Sequence, residues 1–223
     1  MNYIIYNGIR SDKFSSLIIK KLPNIIRAAK RYETTKIDGR DGAIYRDLGY
    51  DNTTRTMQIG IKNYTEIDKI LAWLSNEGKI TFSNEPDKVY YARFYNAIDV
   101  ERFIRFGEAD VKMICDPYKY LLNEGYTSGL HVNNVGTVLS LPLMKITGMG
   151  TTHLMIDGKE ICKLVIDEYI EIDSEKEECY KGSELKNRNM LGNFPSFSPG
   201  PHTISFDGGE ISSCRTLVRS RFV

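Results

Sequence analysis

Short apolar runs, interrupted every few positions by turn residues, dominate the chain. Residues 56–61 alternate apolar side chains with small or polar ones, which is typical of a strand with one buried face. Asn-Gly or Asp-Gly pairs at residues 7–8, 38–39 and 157–158 suit tight reversals of the backbone. The pattern predicts a mainly β protein built from successive antiparallel hairpins.

One segment has helical spacing instead. Apolar residues recur at positions 67, 70, 71 and 74, which lie on one face of a helix. Thr65 and Asp68 match a capping box at its start, and Gly78 is a typical C-terminal stop. We therefore expect a single α-helix between these residues, lying on a sheet. Trp73, at the edge of the apolar stripe, is predicted to pack in the core rather than to stack on a ligand.

Further strands are predicted on both sides of the middle of the chain. After the helix, residues 79–82, 89–95 and 103–115 are apolar and aromatic. The interleaved aromatic and arginine residues could suit an oligonucleotide, but nearby acidic residues cancel their charge. Near the C-terminus the predicted strands are residues 143–147, 154–156, 161–166, 169–172 and 204–206, which indicate a β-sandwich.

A change of composition indicates two domains. Glycine, serine and asparagine cluster between residues 121 and 134. We place the boundary within this segment, with residues 1–128 as an N-terminal domain that carries the helix and residues 129–223 as a C-terminal β-sandwich. The predicted fold is therefore two successive β modules, the first with one helix.

Charge and hydropathy exclude several classes of protein. Thirty Lys and Arg residues balance 29 Asp and Glu residues, so the net charge of +1 provides no field for coating DNA or binding an anionic membrane. No segment approaches the roughly 18 consecutive apolar residues of a membrane span, and the N-terminus lacks a signal-peptide pattern. We expect the protein to be made in a reducing cytoplasm.

The chemistry-bearing residues do not form a recognisable site. The three histidines, His131, His153 and His202, lie far apart without a companion motif. The four cysteines, at positions 115, 162, 179 and 214, are widely spaced and are interpreted as buried free thiols.

Two local patterns resemble binding loops and have simpler interpretations. Residues 148–150 (Gly-Met-Gly) lack the third glycine of a dinucleotide loop and are interpreted as a tight turn. Acidic residues between positions 167 and 178 lack calcium-loop spacing and are interpreted as a solvated edge. We predict a protein that is not an enzyme, with no catalytic, cofactor-binding or metal site, although a glycosidase with dispersed carboxylates stays open.

Several segments, in this order, resemble the distal tail protein family of long-tailed siphophages. In the first half they are residues 37–42 (Ile-Asp-Gly-Arg-Asp-Gly), Tyr50, and residues 73–74, 78–80, 86–88, 90–93 and 115–118. In the second half they are Asn134 and residues 136–137, 172–175, 179–180, 187–195 and 198–200. The resemblance covers essentially the whole chain.

The resemblance implies a structural hub of the phage tail tip. Members of that family form a homohexameric ring through the N-terminal domain, and a galectin-like C-terminal β-sandwich projects outward. One face of the ring meets the major tail protein, and the other meets the tail-associated lysin or fibre protein of the baseplate. Receptor-binding proteins dock at the periphery, DNA only passes through the lumen, and no membrane is involved. The implied location is the virion tail tip, assembled in the host cytoplasm.

A binding module is the alternative hypothesis. The C-terminal sandwich could recognise host cell-wall carbohydrate if an aromatic residue such as Tyr180 or Phe197 stacked on a sugar. Phe194 and Phe197 lie next to Pro195 and Pro199, which restrict the backbone there, so we interpret both as packing residues.

Overall fold

The computed structural model describes residues 1–96, 98 and 100–223. This part of the chain forms two compact units. Unit 1 consists of Met1–Leu122 and Val223, and unit 2 consists of Asn123–Phe222. The described helices are all too short, or too polar, to cross a bilayer.

Unit 1 combines antiparallel strands with two short α-helices. Its strands are β1 (Ile4–Tyr6), β2 (Ile9–Arg10), β3 (Leu17–Lys21), β4 (Lys30–Thr35), β5 (Ile44–Tyr50), β6 (Thr53–Ile61), β7 (Glu77–Phe82), β8 (Glu85–Phe94) and β9 (Glu108–Leu121). Its helices are α1 (Ile67–Trp73), α2 (Val100–Phe106) and a 3₁₀ helix (Ser11–Lys13). The main sheet has the strand order β2-β1-β7-β8-β9-β6-β3, and β4 and β5 form a separate sheet of two strands.

The core of unit 1 lies between the main sheet and α1. Along β6, Met57 and Ile59 are buried and lie on either side of the more exposed Gln58, as the sequence pattern predicts. Trp73 is buried, and its indole Nε1 donates a hydrogen bond of 3.1 Å to the Tyr6 carbonyl. Its predicted role in the core is confirmed, because the indole packs among apolar side chains while its polar atom is satisfied.

The ends of α1 differ from the predicted ones. The helix starts after Glu66, which makes no side-chain cap, and the Thr65 hydroxyl donates to Asn63 instead. Gly78 does not end the helix but lies inside β7. A Cβ atom at Gly78 would overlap the Asn7 side-chain amide, so this glycine allows two chain segments to approach closely.

Helix α2 corrects the strand predicted over residues 103–106. Phe103 is fully buried whereas Ile104 and Phe106 are exposed, so burial follows one helix face rather than alternating along a strand. Gly107, with a φ of +67°, ends the helix, and its amide donates a hydrogen bond of 2.8 Å to the Phe103 carbonyl. This glycine is a stop signal that the sequence analysis does not use.

Unit 2 is built from strands and one 3₁₀ helix (Asn187–Asn189). The strands are β10 (Thr127–Ser128), β11 (His131–Asn134), β12 (Leu143–Ile156), β13 (Lys159–Asp173), β14 (Glu178–Lys181), β15 (Glu184–Leu185), β16 (Met190–Gly192), β17 (Gly200–Asp207), β18 (Glu210–Leu217) and β19 (Arg221–Phe222). Strand order is β10-β18-β12-β13-β14-β15, with β17 paired to β11 and β12, and β16 paired to β13. Because β10 pairs with β18, its residues join unit 2, whereas the sequence analysis ends the first domain at residue 128.

Two long strands organise unit 2. β12 and β13 pair along nearly their whole lengths through the turn at Asp157 and Gly158, whose φ angles of +52° and +77° confirm the predicted hairpin. The turn predicted at residues 148–150 is wrong, because these residues continue β12. Gly148 lies so close to the Glu210 carbonyl that a side chain would collide with it, and β12 shifts register against β18 there.

The core of unit 2 contains alternate residues of the long strands, including Met144, Ile146, Leu164 and Ile172, together with Phe197. All four cysteines of the chain are free and buried, as predicted. Burial raises the pKa of the Cys115 thiol to about 11 and that of Cys162 and Cys179 to about 12. These thiols are therefore packing groups rather than nucleophiles.

One residue of the predicted acidic edge is not solvated. Asp173, at the end of β13, is 2% exposed. Its two carboxylate oxygens accept hydrogen bonds of 2.5 and 3.0 Å from the Arg219 guanidinium. The other acidic residues around it range from partly buried to exposed, so the prediction is wrong for Asp173, which needs an arginine partner to be buried.

Candidate functional site

The hairpin of β4 and β5 is largely exposed to solvent. We call residues 30–50 the arm. Its strands pair from Lys30 opposite Tyr50 to Thr35 opposite Ile44, and every residue of β4 is exposed. Gly39 and Gly42 in the connecting turn have φ angles of +80° and +82°, as expected for the paired turn glycines.

Both faces of the arm carry large apolar side chains. On one face Tyr32 and Tyr45 pack edge to face, with ring centroids 6.2 Å apart, and both remain at least half exposed. On the other face Ile44 and Leu48 are nearly half exposed beside the Arg46–Glu33 ion pair. Large apolar side chains exposed on both faces of a hairpin, among polar and charged neighbours, are suited to contacts with other protein surfaces.

The arm also offers unpaired backbone edges. Within the described part of the chain, β4 and β5 pair only with each other. An isolated two-stranded hairpin is marginally stable in water, and open strand edges are templates for pairing with another chain. The arm is therefore the strongest candidate for an assembly surface.

Charged residues fix the base of the arm. The Lys30 ammonium lies 2.6 Å from the Asp47 carboxylate, and this hydrogen bond lowers the pKa of Asp47. Arg31 donates to the Leu48 carbonyl across the two strands. These bonds are exposed and individually weak, but together they maintain the register of β4 and β5.

The structure brings together three residues that sequence spacing leaves apart. The His202 Nδ1 atom lies 2.6 Å from the Asp157 carboxylate, and its Nε2 atom lies 3.3 Å from the Ser198 hydroxyl. This is the composition of a hydrolase triad. However, Nε2 also lies 2.8 Å from the Ser198 carbonyl oxygen. Because carbonyl and carboxylate oxygens only accept hydrogen bonds, these two partners favour a proton on each ring nitrogen, which disfavours a role of His202 as a base.

The charge state of His202 follows from its partners. Burial by itself lowers the pKa of His202, but the bonds to Asp157 and the Ser198 carbonyl outweigh it and raise the pKa above its ordinary value. The surroundings of His202 therefore favour its protonated form. Of the other two histidines, His153 lies 2.7 Å from Glu160, and His131 lies 3.4 Å from the Thr203 hydroxyl.

The two aromatic residues proposed for sugar stacking lie in different environments. Phe197 is completely buried and cannot contact a ligand, which confirms its predicted packing role. Phe194 packs partly buried against the same core. Tyr180, on β14, is half-buried, so of these two named rings only Tyr180 is accessible to a sugar. Among the described residues, no three His, Cys, Asp or Glu side chains are placed to hold a metal ion.

Comparisons with known proteins identify the fold. A family model described as "Phage tail protein RIFT-related domain" matches residues 10–115. The structure is similar to that of the Dit (gp 19.1) protein of phage SPP1, described as a paradigm of the hub adsorption apparatus in phages that infect Gram-positive bacteria. The TM-score is 0.75 at 15% identity, and the match covers 100% of both chains.

A second similarity is weaker. A chain in the baseplate of phage P2, in its activated conformation with Ca, matches with a TM-score of 0.51 at 10% identity over 96% of each chain. No curated protein sequence matches significantly.

The comparisons confirm the resemblance inferred from the sequence. The chain has the mainly β fold of a siphophage distal tail protein, and about half of it matches a phage tail domain. At these identities the structural matches show the fold. The fold and the domain match together support a structural role in the phage tail.

Proposed function

We propose that this chain, with its distal tail fold, is a structural subunit of a siphophage tail tip and assembles with copies of itself into a ring. Unit 1 would make the ring, and unit 2 would project from it. The finer expectation is a homohexamer that joins the tail tube to the fibre or lysin protein and to the host-recognition apparatus. The proposal assigns the chain to the virion.

The exposed arm is the observation that carries this proposal. It presents two open strand edges and apolar side chains on both faces, which a monomer would leave in water. Pairing with a neighbouring copy satisfies the backbone groups and buries the rings of Tyr32 and Tyr45. Cyclic closure gives every subunit the same neighbours and leaves no free edge.

The proposed partners follow from the place of such a ring in a tail. The SPP1 protein is described as a hub, and the P2 chain comes from a baseplate. A hub needs two further surfaces, one toward the major tail protein and one toward the baseplate fibre or lysin protein. Receptor-binding proteins would attach at the periphery, and DNA would pass through the lumen without binding there.

A non-enzymatic role agrees with the chemistry of the described residues. His202 has both ring nitrogens occupied by acceptors, and the cysteine thiols have raised pKa values in the core. In this proposal the function consists of interfaces, so its tests are measurements of assembly.

Sedimentation velocity over a range of protein concentrations tests the arm directly. We expect the wild-type protein to form a species several times the subunit mass, alone or with the tail partners. The double variant Tyr45→Ser, Leu48→Ser changes one apolar side chain on each face of the arm and should raise the concentration needed for assembly at least about tenfold.

The control is Leu191→Ser in unit 2. Leu191 is 75% exposed, so the substitution removes a comparable apolar side chain outside the arm and should leave assembly unchanged. A wild-type protein that stays monomeric with every tail partner contradicts the ring. Equal assembly of the arm variant and the wild type contradicts the role of the arm.

A further inference from the structure

The arm joins the main sheet of unit 1 through two connections, one of two residues and one of eight. On one side only residues 51 and 52 separate β5 from β6. On the other side residues 22–29, which we call the arm root, connect β3 to β4 without any helix or strand. A connection of eight irregular residues is ordinarily mobile and would let the arm swing.

The arm root is nevertheless held at a succession of its carbonyl groups. The Pro23 carbonyl accepts a hydrogen bond of 3.2 Å from the Asn84 side chain, and the Ala29 carbonyl accepts one of 2.8 Å from the Asp51 amide. Between them, the carbonyls of Asn24 and Ile26 both accept bonds from Arg55, at 3.1 and 3.2 Å. One guanidinium thus holds two carbonyls of the root.

Arg55 occupies an unusual position for an arginine. It is 6% exposed, at the third residue of β6, just past the short connection of the arm. Its partners are neutral: the two root carbonyls, the Thr53 hydroxyl at 3.4 Å, and the face of the Tyr90 ring at 4.5 Å. Burying a guanidinium is costly, and an apolar residue would fill the same space without that cost.

Arg55 contacts one connection of the arm and lies next to the other. Because it belongs to the strand that one connection enters and donates to the carbonyls of the other, it fixes the two with respect to each other. The planar fork of the guanidinium suits two carbonyls at a fixed separation, and the Tyr90 ring restricts its orientation.

We propose that Arg55 is a positioning residue that clamps the arm root and sets the direction in which the arm leaves unit 1. The clamp removes the entropic cost of orienting the arm before it meets a neighbour. Its effect on assembly rests on the proposed function, whereas its effect on the order of the arm does not.

Hydrogen–deuterium exchange of the full chain below its assembly concentration tests the clamp. Arg55→Met keeps an unbranched stem in the core but loses both guanidinium bonds to the root carbonyls of Asn24 and Ile26, and peptides covering residues 22–50 should exchange about tenfold faster or more. Peptides from β1 and β7 should keep their wild-type exchange. Arg55→Lys retains the positive charge but lacks the planar guanidinium. Its exchange in residues 22–50 should therefore lie between that of the wild type and that of Arg55→Met.

Two further variants make the result decisive if Arg55→Met folds poorly. Asn84→Ala removes one exposed donor to the root and should give a smaller acceleration in the same peptides. Arg93→Met is the matched control, because Arg93 is an exposed arginine of the same sheet that contacts Glu77 instead of the root. It should leave the exchange of the arm unchanged.

Assembly measured on the same variants separates the two proposals. If the clamp matters for the ring, Arg55→Met and Arg55→Lys raise the assembly concentration in the order of their exchange rates. A wild-type chain that never assembles refutes the proposed function. The hydrogen–deuterium exchange of residues 22–50 still tests the clamp in that case. If Arg55→Lys and Asn84→Ala both show wild-type exchange in residues 22–50, the clamp is refuted.

Discussion

Asp173 and Arg219 carry opposite charges inside unit 2, and each is tolerated there because of the other. The Asp173 carboxylate also accepts bonds from the backbone amides of Glu175 and Lys176. Burial acts to raise the pKa of Asp173, but the Arg219 and amide bonds outweigh it and lower that pKa. The pair fixes the segment after β18 to the end of β13.

Removing one partner of this pair should be costly. Asp173→Asn removes the buried carboxylate that pairs with Arg219 and leaves only the more exposed Glu175 carboxylate, 3.3 Å from the guanidinium, so we expect a loss of about 3 kcal/mol in the free energy of unfolding of unit 2. Urea denaturation of the full chain measures this. Asp167→Asn, an exposed aspartate on the same strand, should change stability by less than about 0.5 kcal/mol. Similar small effects for both variants would show that the buried pair is not needed.

His202 makes the stability of unit 2 depend on pH. Its pKa is raised in the folded state, so its contribution is fully present below the unfolded value of about 6.5 and is lost as the pH rises through the folded value. We expect the difference in melting temperature between wild type and His202→Gln to be largest below about pH 6.5 and to shrink as the pH rises above it. A difference that stays constant or grows with pH would show that His202 is neutral in the fold.

The contacts of single residues were the least predictable from sequence. Trp73 and Phe197 could be assigned to the core because a large apolar side chain has one favourable environment. The hydrogen bond between His202 and Asp157 could not be predicted. Asp157 is 45 residues away and approaches His202 only through the pairing of β17 with the end of β12. The burial of Arg55 could not be predicted for the same reason, because an arginine in a predicted strand is expected to be exposed to solvent unless its partners are known.

At the scale of elements, periodicity predicted the strands of alternating burial and the α1 helix, but not where elements end. Strand β12 contains a Gly-Met-Gly sequence that reads as a turn, and its pairing with β13 overrides that local signal. Helix α2 has apolar residues at positions 103, 104 and 106, a spacing that suits a strand as well as a helix, so Gly107 was the better indicator of a helix end.

Close packing of β7 on Asn7 can be tested by a double-mutant cycle. Gly78→Ala places a methyl group against the Asn7 amide, which otherwise bonds the Lys79 amide at 3.0 Å, and should cost about 1–3 kcal/mol. In an Asn7→Gly background the same substitution should cost less than about 1 kcal/mol. Asn7 has a φ of +50°, which glycine adopts readily. Equal costs in both backgrounds would contradict the contact.

The whole molecule combines two self-sufficient cores with one element that has no core of its own. Each unit buries a continuous apolar cluster, whereas the arm leaves its apolar side chains and strand edges in water. The resemblance of the sequence to distal tail proteins gave the fold class and the order of the modules. The sequence could not give the isolation of the arm, because its residues follow the same strand pattern as the main sheet.

Native mass spectrometry of the assembled protein, with the tail partners added when the chain alone does not assemble, tests the central claim most directly. The account predicts a discrete species at six times the 25.5 kDa subunit mass, seen as closed rings by negative-stain microscopy and lost in Tyr45→Ser, Leu48→Ser. A species of one subunit mass under every condition, or a ring that persists in the arm variant, would contradict it.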